Sequence, residues 1–157
     1  MCRDEEACAM KSLRAIIDDP KTSQAVVADG LRVLDEEVGK RSGLGGMAIK
    51  GAYKVIKNIQ GGKTLEKAVK VLIPEFVDKL DPYYAGYQRE GEGKDWTEYL
   101  RPHYDALADD LLQVTDQKIR GSDNRAVRGA YDRLRPKAKK EVIASLPALA
   151  RMMERYI

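Results

Sequence analysis

A ten-residue segment that occurs twice constrains the fold of this chain more than any other feature of its sequence. Residues 48–57 read Ala-Ile-Lys-Gly-Ala-Tyr-x-x-Ile-Lys, and residues 126–135 read Ala-Val-Arg-Gly-Ala-Tyr-x-x-Leu-Arg. At about 100° per residue, the apolar positions of such a segment share one side of a helix and the cations lie opposite. The segment therefore predicts two amphipathic helices at equivalent places in an internally repeated protein.

Two further blocks match in the same order on either side of this segment. Residues 29–38 match residues 110–119, and residues 69–80 match residues 142–153, each of the last two with a proline inside. Matching positions are 81, 78 and 73 residues apart in the three blocks, so the differences in length fall in loops, where insertions are tolerated. We infer a tandem duplication of a three-helix unit, neither copy of which would bury its apolar face alone.

The apolar residues of four predicted helices recur at i, i+4, i+7 and i+11, which is typical of one apolar helix face. Since Pro74 and Pro147 lie within this pattern, we expect them to kink or restart their helices. We predict an all-α fold of about seven helices in a single domain, residues 1–157, with the two repeats packed about a pseudo-twofold axis. Its predicted parts are an N-terminal helix at 4–17, repeat one at 22–80, a linker at 81–95 and repeat two at 96–157.

The composition gives little support to a metal site, a disulfide framework or a membrane span. The formal net charge is only +3, and the only cysteines are Cys2 and Cys8, with a single histidine to join them in a metal site. The N-terminus is acidic and leads into no apolar run, and no segment approaches the roughly 20 apolar residues of a spanning helix. We therefore expect a cytoplasmic protein.

The basic residues of the repeated segment are the candidate binding residues for an anionic surface. Lys50 and Lys57 match Arg128 and Arg135, whereas Lys54 matches an aspartate. Cations preserved at equivalent places would form two basic stripes, able to contact nucleic acid or membrane headgroups. Such stripes are also typical of an ordinary solvated helix face.

The glycines of the repeated segment, Gly51 and Gly129, have a structural interpretation of their own. A residue without a side chain lets two helices approach closely. We therefore predict a small-residue contact between helices at these positions.

Three local patterns resemble catalytic or cofactor-binding motifs, but their context argues against that chemistry. Residues 43–48 satisfy the dinucleotide fingerprint, and residues 61–64 resemble the end of a phosphate-binding loop. Both motifs require a preceding strand, and here a helix is predicted instead. His103 has no identifiable nucleophile or metal partner. We predict a protein that is not an enzyme and has no cofactor or metal.

Three kinds of binding protein remain. The first is a protein-interaction or structural adaptor module, which uses an apolar face left by the duplication and forms a homodimer or binds another protein. The second binds an anionic surface through the basic stripes. The third holds an apolar ligand between the halves, in a pocket opened by the proline kinks.

The sequence also resembles an uncharacterised family of small helical bacterial proteins that is frequent in actinobacteria. The motifs that carry this resemblance are Ser42-Gly43-Leu44, Ile49-Lys50-x-Ala52-Tyr53-Lys54, Leu72-Ile73-Pro74-Glu75-Phe76 and Tyr131-x-Arg133-Leu134-Arg135-Pro136-x-Ala138-Lys139-Lys140. The resemblance covers most of residues 12–155. It implies a bacterial cytoplasmic setting and assigns no catalytic residue, because no activity is associated with that family.

Overall fold

The computed structural model describes residues 11–157, and within that range the chain forms helices and no strand. The α-helices are α1 (Leu13–Ile17), α2 (Pro20–Gly39), α3 (Gly43–Asn58), α4 (Lys63–Glu90), α5 (Trp96–Leu100), α6 (Tyr104–Arg120) and α7 (Arg125–Met153). A turn at Ile59–Gly62 lies between α3 and α4, and a short 3₁₀ helix, Arg101–His103, lies between α5 and α6. The all-α prediction is confirmed. Of the predicted N-terminal helix, residues 13–17 are helical, and residues 4–10 lie outside the described range.

Short polar side chains fix the beginnings of several helices. The Asp19 carboxylate accepts from the Thr22 N–H at 2.9 Å, directly before a proline at the first position of α2. Asp95 accepts from the Glu98 N–H at 2.7 Å and so caps α5. Asn124 caps α7 in the same way. Each contact satisfies one of the free N–H groups at a helix start.

The structure differs from the predicted linker at 81–95, because α4 continues as a helix to Glu90. The carboxylate of Asp81, the first residue of that predicted linker, accepts from the Leu13 N–H at 2.6 Å and so caps α1. Extending α4 also buries Tyr84, whose ring meets the Trp96 ring edge-on at 5.7 Å between centroids. Tertiary packing therefore outweighs the local signal of an aspartate followed by proline.

The second and third helices of the two halves are connected differently. In the first half, Gln60, Gly61 and Gly62 adopt positive φ values of 51°, 63° and 92°, and these residues separate α3 from α4. Gly tolerates such angles without strain, whereas most residues do not. The second half has five fewer residues at this place, since the matching spacing falls from 78 to 73. Consequently α7 runs unbroken for 29 residues, through both of its prolines.

The glycine contact predicted for the repeated segment is not observed. A Cβ atom placed on Gly51 or Gly129 would meet no heavy atom of the described residues within 4 Å. The prediction of close helix packing at these two positions is therefore wrong. Instead, the buried small residues of the segment are Ala52 and Ala130, at 5% and 4% exposure.

The apolar faces of α2, α4, α6 and α7 converge on the centre of the molecule, with α1 against α4 and α3 against α7. The most deeply buried side chains are Trp96, Leu100, Leu107 and Leu146. In residues 11–157, no helix combines the length and apolar composition that crossing a bilayer requires.

Candidate functional site

Each half of the molecule contains an aspartate that holds a tyrosine and a cation from the following helix. The two triads are Asp35, Tyr53 and Lys57 in the first half, and Asp116, Tyr131 and Arg135 in the second. In both, the tyrosine hydroxyl donates to the carboxylate at 2.5 Å. The nearest cationic nitrogen lies 2.9 Å from the carboxylate in the first triad and 2.8 Å in the second. Matching residues therefore make matching contacts.

The triads shift the acid–base properties of their members. The pKa of Asp35 is lowered, chiefly by the hydrogen bond from Tyr53 and then by that from Lys57. The pKa of Asp116 is lowered, chiefly by the hydrogen bond from Arg135. Burial and the adjacent carboxylate raise the pKa of Tyr53. The carboxylates are thus stabilised as anions and serve as structural acceptors.

The triads also change the interpretation of the predicted basic stripes. Lys57 and Arg135 are neutralised locally, because each is bonded to its aspartate. Lys50, Lys54 and Arg128 are exposed and form no ion pair with any residue that the structure describes. Of the predicted stripe residues, two cations that are free within residues 11–157 therefore remain on α3 and one on α7, and an anion-binding role stays a prediction.

A second pair of matching contacts crosses between the halves. Tyr156 donates to Asp29, and Tyr83 donates to Asp110 at 3.4 Å. Asp29 matches Asp110, and the two tyrosines are 73 residues apart, the spacing of the third repeat block. Each half therefore supplies the aspartate of one pair and the tyrosine of the other. A pseudo-twofold relation between the halves predicts such an exchange, and the duplication itself stays a prediction.

An apolar cavity of about 390 Å³ lies where these helices converge. Both halves line it at matching positions. The matched lining residues are Gly30 and Leu111, Leu34 and Thr115, Val69 and Val142, Leu72 and Ser145, Ile73 and Leu146, Phe76 and Leu149, and Leu80 and Met153. The apolar face of each repeat thus borders the same space, and this cavity is the candidate functional site.

The side chains of α4 around the cavity remain partly exposed although they point inward. Leu72, Ile73 and Phe76 are half-buried and line the cavity. Facing them, Gly30 on α2 brings the backbone close, since a Cβ there would meet Val69 at 3.8 Å. α2 and α4 therefore approach each other at Gly30, beside the cavity that both helices line.

Few polar side chains line the cavity, and Glu37 is the charged one among them. Glu37 is the buried charged residue of the described core, at 7% exposure, and it pairs with Lys40 at 3.0 Å and Arg41 at 3.6 Å. Arg41 also pairs with Glu141 and donates to the Ser145 hydroxyl at 2.8 Å. These contacts join α2 to α7, and they leave little unpaired charge to face the cavity.

Aromatic rings form a separate packed cluster away from the predicted basic residues. Tyr87 lies within 5.5 Å of both Trp96 and Tyr99, measured between ring centroids. His103 contacts the rings of Tyr83 and Tyr99 at 5.3 and 5.6 Å. Such spacings are typical of a packed aromatic core. His103 thus has a packing role, and its side chain makes no capping hydrogen bond to α6.

The two glycine-containing motifs lie in purely helical surroundings. Residues 43–48 follow α2 and form the first turns of α3, and residues 61–64 follow α3. The strand that a dinucleotide or phosphate-binding loop requires is absent from the described range. The part of the chain that the structure describes also brings together no group of three His, Cys, Asp or Glu residues suited to a metal ion.

Comparison with known proteins identifies a family but no characterised relative. The model of a family of unknown function, DUF6918, matches residues 13–157. A search of curated proteins and a search of solved structures return no match. Because the family model covers nearly the whole chain, the protein belongs to the DUF6918 family.

Proposed function

We propose that the protein binds an apolar ligand in the cavity between its two halves. The observation that carries this proposal is the size and lining of the cavity. Its volume of about 390 Å³ falls in the range of about 300–1,000 Å³ that is usual for small-molecule sites. Of the hypotheses based on the sequence, the geometry favours ligand binding over the adaptor role. The cavity does not depend, however, on helices that break at their prolines.

The partly open shape of the cavity supports the same conclusion. A ligand can enter it from solvent, and several lining side chains of α4 are only half-buried. An apolar occupant would remove this lining from water and would give it dispersion contacts. A bound apolar molecule would therefore stabilise this fold.

The lining defines the class of ligand. Thr115 and Ser145 donate their hydroxyl protons to backbone carbonyls of their own helices, at 3.0 and 2.9 Å. Glu37 is occupied by its two cations. The ligand we propose is therefore largely hydrocarbon, and any polar end of it lies towards Glu37 and Arg41. The same scarcity of free polar groups supports binding rather than catalysis.

A matched pair of glycine substitutions tests the site. Gly30→Leu places an isobutyl group against Val69 in the cavity, whereas Gly129→Leu makes the same change in open space on α7. Titration with a neutral naphthylamine fluorophore should give a dissociation constant at least about tenfold higher for Gly30→Leu. Gly129→Leu should bind as the unaltered protein does, with circular dichroism reporting that both variants fold.

Equal binding by the unaltered protein and both variants would contradict the proposal, because the fluorophore would then lie outside the cavity.

Native mass spectrometry gives a second measurement that needs no chosen probe. Protein purified from its host should carry an added mass that organic extraction removes. The cytoplasmic, bacterial setting expected from the sequence is part of this proposal.

An adaptor role remains a second candidate, favoured by exposed apolar residues on α3. Leu44 and Met47 are 89% and 70% exposed. A protein partner or a second copy of the chain would cover them. Light scattering at increasing concentration tests the homodimer, and a mass that stays monomeric contradicts it.

A further inference from the structure

The exposed side of α3 combines apolar and basic residues in a way that the cavity does not explain. At 3.6 residues per turn, Leu44, Met47, Ala48 and Val55 lie within an arc of about 100°. All four are exposed, although side chains of this kind usually lie inside. Ile49 and Ala52, on the adjoining face of the same helix, are buried. α3 therefore has one apolar face in the core and another in solvent.

The charges beside this apolar arc are all positive. Lys50 and Lys54 follow its edge on α3, and the helix contains no acidic residue from its first to its last position. Lys137 on α7 is a third exposed cation. It lies beside α3, since its ammonium would be 3.3 Å from a Cβ atom placed on Gly45. Within residues 11–157 none of these three lysines is paired with a carboxylate. Their charge is thus available to an anionic partner.

We propose that α3 docks on an anionic lipid bilayer, with Leu44 and Met47 inserted at the level of the headgroups and the three lysines against lipid phosphates. A helix with an apolar arc bordered by lysines binds such an interface through buried apolar area together with attraction to anionic lipid. This surface is distinct from the cavity, and the inference stands whether or not the cavity holds a ligand.

The exposed apolar residues favour a bilayer over nucleic acid. Nucleic acid binding uses cations and stacking aromatics, but Tyr53, the aromatic residue of α3, donates its hydroxyl to Asp35 and is half-buried. Leu44 and Met47 would remain in water on a phosphate backbone, whereas a bilayer removes them from it. The matching helix in the second half carries Ser122 and Arg125 at these two positions. Its Arg128 therefore serves as a natural control for Lys50.

Vesicle flotation tests the proposal with three variants of the full chain. The unaltered protein should bind vesicles of equimolar phosphatidylglycerol and phosphatidylcholine, and should not bind vesicles of phosphatidylcholine alone. Lys50→Glu/Lys54→Glu should reduce the partition coefficient by at least about twentyfold, because each lysine near an anionic surface contributes about fivefold. Leu44→Ser/Met47→Ser, which leaves the charge unchanged, should reduce it by at least about tenfold. Arg128→Glu should bind as the unaltered protein does.

Several outcomes would overturn the proposal. Full binding by Leu44→Ser/Met47→Ser would show that no apolar group inserts, and equal loss in Arg128→Glu would show that both basic stripes act together. Tighter binding to a polynucleotide than to the anionic vesicles would assign the surface to nucleic acid. A dimer in light scattering that Leu44→Ser/Met47→Ser abolishes would assign it to a second copy of the chain. All substituted residues are exposed, and circular dichroism of each variant checks that it folds.

Discussion

At the scale of single residues, the triads show how one side chain can organise two helices. Asp35 lies on α2 and receives both of its hydrogen bonds from α3, so it fixes the rotation of α3 about its own axis. Its apolar neighbours could be predicted from helical spacing, because a buried face repeats in the sequence. The hydrogen bond to Tyr53 could not, since it depends on how two helices approach in space.

The largest cause of the lowered pKa differs between the two triads. Tyr53→Phe should raise the pKa of Asp35 towards its ordinary value of 3.8, because the Tyr53 hydroxyl is the largest cause of the lowering. At Asp116 the largest cause is the hydrogen bond from Arg135, so Arg135→Gln should raise the pKa of Asp116 more than Tyr131→Phe does. Carboxyl resonances followed by NMR during an acid titration measure these values. A larger shift of the Asp116 pKa in Tyr131→Phe than in Arg135→Gln would contradict this assignment.

The lowered aspartate pKa values also set the acid limit of stability. A carboxyl whose pKa is lower in the folded than in the unfolded chain stabilises the fold above its unfolded value, here about 3.8. That contribution is lost as the pH falls through the folded value. The urea concentration at the midpoint of unfolding should therefore decrease as the pH is lowered below about 4. The decrease should be less steep in Asp29→Asn, which lacks one of these carboxyls. Unchanged midpoints down to pH 2 would contradict the argument.

At the scale of helices, sequence reasoning succeeded for apolar faces and failed for boundaries. The spacing of Val69, Ile73 and Phe76 predicted the face that lines the cavity. The expected break after residue 80 did not occur, because Tyr84 gains burial when α4 continues. The apolar face of α4 depends on local periodicity alone. The end of α4 depends on the position of Trp96, which is set by another helix.

Replacing the two glycines of the repeated segment by alanine should stabilise their helices. Gly51→Ala and Gly129→Ala should each raise the free energy of unfolding by about 0.5–1 kcal/mol, because alanine favours the helix and the added methyl meets no neighbour. Gly46→Ala is the contrasting substitution. Its Cβ would lie 2.7 Å from the Arg41 carbonyl carbon, so it should destabilise. Urea denaturation measures all three, and a destabilising Gly51→Ala would show an unseen contact.

At the scale of the whole molecule, the two halves exchange contacts. Asp29 and Tyr156 join α2 to the residues after α7, while Asp110 and Tyr83 join α6 to α4. The sequence predicted that the two halves would pack together, and one of its three binding hypotheses placed a pocket between them. It attributed that pocket to kinks at proline, whereas α7 is continuous through its prolines. The space left between the halves depends on side-chain volumes and on the turn at Ile59–Gly62, which only one half contains.

The central claim is that both halves line one apolar cavity. Xenon binding followed by methyl NMR tests this claim most directly, because xenon enters apolar cavities and avoids polar surfaces. We predict that xenon shifts the methyl resonances of Val69 and Val142, one from each half, and leaves exposed Val55 unchanged. Absence of shifts at Val69 and Val142, or shifts of the same size at Val55, would contradict the account.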